Sequence, residues 1–99
     1  MTMTKKQDGK KLTVNVEGRL DTLTAPSLEA QLLPALKDIE ALVIDLKELN
    51  YISSAGIRVL VQAAQVMDSQ NGEMKVVNVN PDVKSIFSMT GLINVLGVE

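Results

Sequence analysis

Residues 50–67 read NYISSAGIRVLVQAAQVM, with Ser53 and Ser54 standing three and two places before Gly56. The pair falls where a strand-like run gives way to a helical apolar pattern. A hydroxyl at such a junction has two uses. It can cap the helix by accepting a bond from a first-turn N–H, worth about 1 kcal/mol, or it can carry a chemical mark such as a phosphoryl group. Two hydroxyls exceed what one cap needs, which favours a second role for one of them.

Other chemistry is narrowed by what the chain lacks. It has no Cys and no His. A thiol nucleophile, a disulfide framework and a thiolate metal site are therefore absent, as are the commonest general base and metal ligand. A Ser-His-Asp hydrolase is excluded. ISSAG is not the G-x-S-x-G nucleophile elbow, and no glycine pattern for cradling phosphates occurs. An enzyme would have to work with carboxylates, Lys47, Arg19, Arg58 and hydroxyls. No cofactor and no metal is expected.

The 99 residues are 45% hydrophobic, with 10 Lys and Arg against 12 Asp and Glu. That suits one domain, residues 1–99, large enough for a core. A net charge of -2 and two aromatics supply neither the electrostatic footprint nor the stacking platform of a nucleic-acid reader. The longest apolar runs, such as ALVI, are too short to span a bilayer. MTMTKKQDGKK has no apolar stretch behind it and does not read as a secretory signal.

The elements that must position the serines follow from periodicity. KLTVNVEG alternates Leu12, Val14 and Val16 with polar residues and predicts a half-buried strand. Asp8-Gly9 before it signals a hairpin, so a first strand through Met1 and Met3 is expected to pair with it. TAPSLEAQLLPALKDI has helical spacing at Leu28, Leu32 and Leu36, with Thr24 as cap, Pro26 in the first turn and Pro34 as a late kink or stop. ALVIDL predicts a strand buried on both faces. The helix after the serines repeats Ile57, Leu60, Val61, Ala64 and Met67, and Asn71-Gly72 stops it. EMKVVNV predicts a strand, Asn80-Pro81 opens a third helix that Gly91 closes, and INVLGV reads as a last strand. The order β-β-α-β-α-β-α-β predicts a single α/β domain. Its mostly parallel mixed sheet would have four to five strands and right-handed crossovers, with three helices.

In open α/β sheets, sites lie at the carboxyl ends of strands, and DLKELNYISSAG is such a place. The helix beyond it has a narrow polar stripe, Arg58, Gln62 and Gln65, and a second apolar row, Val59, Ala63 and Val66. A surface helix normally shows a wider polar face. The second row is either covered by the protein's own elements or left for a partner.

EGRLDTLTAP, LVIDLKELNYISSAGIRVL and SIFSMTGL resemble the STAS domain family, in particular the stand-alone bacterial anti-sigma factor antagonists. The resemblance runs from about Gly9 to the end of the chain. It implies a cytoplasmic partner-switching protein and not an enzyme. Such a protein is a monomer that forms heterocomplexes, binding an anti-sigma factor that is also a serine kinase. The kinase phosphorylates a serine at the start of the second helix and disengages, and a PP2C-type serine phosphatase resets the cycle. In the family pattern the acceptor lies two residues before the glycine, hence Ser54 here. The preceding position, often Asp, is Ser53, which leaves Ser53 as the alternative. Asp21 in GRLD matches a family acidic position near the acceptor, with a plain turn role as the other reading; Asp45 is expected to order its loop. The implied contact set is Asp21, Ser53, Ala55, Gly56, Ile57, Arg58, Val59, Gln62 and Ala63. STAS domains also serve as constitutive subunits, for instance docking on a lipid-transporter ATPase without phosphorylation. A nucleotide-binding regulatory domain is a further alternative, for which no glycine loop speaks.

Overall fold

The computed structural model describes residues 1–99. Met3 is the inward residue of the first strand, β1 (Thr2–Asp8), which pairs antiparallel with β2 (Lys11–Leu20). Gly9 and Lys10 form the two-residue link between them. Gly9 takes φ +60°, a conformation a tight hairpin demands at its first position and glycine adopts without strain. Then follow α1 (Ala25–Ala35), β3 (Ala41–Asp45), β4 (Leu49–Ile52), α2 (Ser54–Ser69), β5 (Glu73–Val77), α3 (Pro81–Met89) and α4 (Ile93–Leu96). The sheet order is β1-β2-β3-β5, with β4 paired to the far end of β2 beyond a bulge at Gly18/Arg19. All pairings except β1 with β2 are parallel.

The α/β class and the mixed, mostly parallel sheet agree with the sequence pattern; three details do not. The terminal INVLGV is a four-residue helix, α4, and only Val98 reaches the sheet, through a single bridge to Val76. Gly97 is the reason: at φ +66° it turns the chain in the left-handed region, where any Cβ would collide with the Met74 carbonyl. The helices thus number four. Second, LNYI forms a separate strand, β4, between β3 and α2, which the predicted element order does not contain. Third, β3 is buried on one face only. Leu42 and Ile44 are buried, whereas Ala41, Val43 and Asp45 remain half-open.

That third difference defines the architecture. Leu12, Val14, Val16, Leu42, Ile44 and Val76 point into one core with residues from all four helices. The opposite sheet face carries Lys6, Thr13, Val43 and Lys75 in one cross-strand row and Thr4, Asn15, Asp45 and Val77 in the next. Two layers result, with every helix on the same side.

Helix ends follow local chemistry. α1 ends at Ala35, one residue past Pro34. After α2, Asn71 at φ +59° lets Gly72 N donate to Met67 O and Asn71 N to Asp68 O, satisfying last-turn carbonyls. Asn80 caps α3 by accepting from Val83 N at 2.8 Å, and its Nδ2 donates to Leu49 O at 3.0 Å, tying α3 to β4.

Candidate functional site

The serines lie at the carboxyl end of β4, where parallel pairing with β2 delivers Leu20 beside Ile52. Ser53 N donates to Leu20 O at 2.8 Å, so the backbone is fixed up to the helix start. Ser53 is the N-cap of α2, with φ -99° and ψ 174°, and its Oγ accepts from Gly56 N at 3.4 Å. Ser54 is the first helical residue; its side chain is exposed and stands outside the cap. The two hydroxyls therefore differ in availability.

Gly56 explains how the helix comes so close. A Cβ there would lie 2.6 Å from Leu20 Cγ and 3.0 Å from Ile52 Cγ1, so only glycine lets the first turn of α2 settle on the strand ends. This changes the expected contact set. Gly56, Val59 and Ala63 are buried by the protein's own elements: Gly56 lies against Leu20 and Ile52, and Val59 and Ala63 belong to the core that α2 shares with the sheet and α1. They position the helix and cannot touch a partner in this conformation. Arg58 is exposed; Ala55, Ile57 and Gln62 are half-buried. Gln62 Oε1 is shielded and accepts no bond.

Asp21 adjoins the serines through Leu20. Its Oδ1 accepts from Leu23 N and Thr24 N, both at 3.0 Å, and from Thr24 Oγ1 at 3.1 Å. Asp21 N in turn donates to Thr24 Oγ1 at 2.9 Å. Thr24 thus stands at the α1 start but serves the loop instead of capping the helix with its side chain. The Thr24 backbone bond, with help from the Thr24 hydroxyl, the Leu23 N–H and the Arg19 charge, holds the Asp21 carboxyl below its ordinary pKa, against some opposing desolvation. Arg19 Nε lies 3.7 Å from Asp21 Oδ2, and its guanidinium covers the Tyr51 ring at 4.2 Å.

Two residues at this rim, Tyr51 and Leu23, escape a pattern-based reading, and Arg19, singled out from the sequence only as a group an enzyme could use, proves to join Asp21 to Tyr51. Leu23 is 88% exposed and Tyr51 42%. The cross-strand register of β4 would have disclosed the Arg19–Tyr51 pair. Asp45, as expected of a loop-ordering residue, accepts from Lys47 N at 2.9 Å. No cluster of three His, Cys, Asp or Glu side chains is placed to hold a metal ion. None of the surface hollows is lined by Ser53, Ser54 or Arg58.

Fold and site together define a small α/β domain that offers a helix start, with one free hydroxyl, on open surface. The STAS domain profile matches residues 2–99, and the chain belongs to that family. It is 30% identical over 94 residues to the anti-sigma-B factor antagonist of Bacillus subtilis, taking in 95% of this chain and 86% of that one. An anti-sigma factor antagonist from Mycobacterium paratuberculosis, 28% identical, superposes with a TM-score of 0.86 over 98% of this chain and 83% of its own. The phosphorylated form of SpoIIAA, the Bacillus cell fate determinant, shares the fold at 14% identity and a TM-score of 0.79, covering 99% of this chain and 91% of that one. No helix is long and apolar enough to cross a membrane.

Proposed function

We propose that this protein is an anti-sigma factor antagonist. It binds an anti-sigma serine kinase through the rim around the start of α2, and phosphorylation of Ser54 ends the complex. The observation that carries the reading is the division of labour between the serines: Ser53 is held in the cap, while Ser54 presents an exposed hydroxyl at the first helical position. The antagonist relatives and the existence of SpoIIAA in a phosphorylated form support it.

The transfer is simple. Ser54 Oγ attacks the γ-phosphorus of ATP, the bond to the β-phosphate oxygen breaks, ADP leaves, and the hydroxyl proton passes to the kinase's base. The product adds about -1.5 to -2 charges. At a helix N-terminus such a charge meets free N–H groups and a favourable dipole, so the fold tolerates it. A partner already seated there must desolvate the new dianion or juxtapose like charge, which costs several kcal/mol. A switch from bound to free at the 99:1 level needs about 5.5 kcal/mol, within reach of one phosphate in a closed interface. A PP2C-type phosphatase would restore the hydroxyl.

The test is intact mass with fragmentation mapping on the protein isolated from its native cells in growth and in stress, with phosphatases blocked. A phosphoryl group on Ser54 whose occupancy changes between conditions supports partner switching. One on Ser53 keeps the mechanism and moves the site. None in either condition points to constitutive docking instead.

A further inference from the structure

Leu23 holds a large apolar side chain 88% exposed on a backbone that is not free to move. Singly exposed leucines are ordinary on protein surfaces, so exposure alone says little. Here the loop is locked on both sides of the residue. Asp21 Oδ1 receives the Leu23 and Thr24 N–H groups and the Thr24 hydroxyl, Thr24 Oγ1 is also 2.9 Å from Arg19 O, and Ala25 N donates to Asp21 O at 2.8 Å. Arg19 closes the far side of Asp21 while lying on Tyr51. An apolar group presented on a rigid loop loses little further entropy on burial, which is what an interface anchor requires.

Its place is equally telling. The loop leaves β2 at Leu20, whose carbonyl holds Ser53 N. A protein that reaches Ser54 must cover its surroundings. A standard interface buries about 800 Å² per partner, a disc of about 16 Å radius centred on that hydroxyl.

We propose that Leu23 is the apolar anchor of the kinase-binding surface, inserted into an apolar pocket of the same serine kinase that modifies Ser54. This rests on the function proposed above and adds the residue that sets affinity. Asp21 is then a positioning residue: its carboxylate shapes the loop that carries the anchor.

The test uses the full chain as substrate for the serine-kinase activity fractionated from native cells on the wild-type protein. Initial rates are read by mass at Ser54 for wild type, Leu23→Ser, Leu23→Met and Met89→Ser. Met89 is 84% exposed and sits at the end of α3 remote from Asn80, so it controls for general loss of apolar surface. The expected result is a KM raised about tenfold or more by Leu23→Ser, with kcat little changed, near-wild-type behaviour of Leu23→Met, and no effect of Met89→Ser. Phosphorylation of Leu23→Ser with wild-type KM overturns the anchor and leaves the proposed function standing. So does an equal loss in Met89→Ser. No Ser54 phosphorylation of the wild type by any fraction overturns both. Unfolding midpoints measured alongside separate binding from folding, since an exposed side chain should leave stability unchanged.

Discussion

Ser53→Ala removes an acceptor from Gly56 N. The bond is long, 3.4 Å, so the expected loss is about 0.5–1 kcal/mol, the low end for an N-cap. Ser54→Ala removes an exposed hydroxyl that caps nothing and should lie within about 0.5 kcal/mol of wild type. Urea midpoints at constant slope check both. Asp21 adds a pH signature. Its pKa is lowered in the folded state, so the carboxylate contributes stability that is present above the unfolded value, about pH 4, and lost as pH falls through the folded value. The stability gap between wild type and Asp21→Ala should therefore be widest near neutrality and shrink in acid, as denaturation across pH 2–7 would report. The hydroxyl pair and the acidic residue were legible because each sits in a short sequence signature. Leu23 was not, since one exposed leucine has no period and its rigidity comes from hydrogen bonds between side chain and backbone.

At the level of elements, Gly56 decides how α2 meets the sheet. Alanine would raise helix propensity by up to about 1 kcal/mol. Its methyl, however, would press on Leu20 and Ile52, both buried, and overpacking of this kind costs about 1–3 kcal/mol. Leu20 is fully buried and meets the methyl with its branch carbon, not only with its tip, so Gly56→Ala should be net destabilising by about 1–2 kcal/mol. Thermal unfolding gives the magnitude, and slower phosphorylation of Ser54 would show that the helix start had moved. Long periodic elements such as β2 and α2 could be read from spacing because alternation or a 3.6-residue repeat persists over many positions. β4 could not: Leu49 and Ile52 are buried with two exposed residues between them, a three-residue spacing that fits one face of a helix better than the alternation of a strand. α4 misled in the other direction. Ile93 and Val95 favour strand by propensity, yet the turn at Gly91 and the left-handed Gly97 leave room for one helical turn only, and tertiary context overrides so weak a preference.

For the whole molecule, the one-sided stacking of helices makes neighbouring residues of one strand unequal. Ile44→Ala opens a cavity in the shared core and should cost about 2–5 kcal/mol. Val43→Ala, one position earlier on the open face, should cost well under half of that, and the two denaturation curves make the comparison. ALVIDL concealed this asymmetry because a run of branched apolar residues looks alike whether one face or two are covered. The tail beyond α4 has a consequence of its own. β5 lies at the rim of the sheet, and its outer groups are met only by Gly97 O, which accepts from Val76 N, and by Glu99 N, which donates to Val76 O; a Lys75–Glu99 ion pair at 3.5 Å reinforces the seal. Without residues 97–99 that rim becomes a bare template for strand addition from another molecule. A shortened chain should then self-associate with rising concentration in sedimentation while its helix content stays the same, so the last three residues act as a guard against polymerisation.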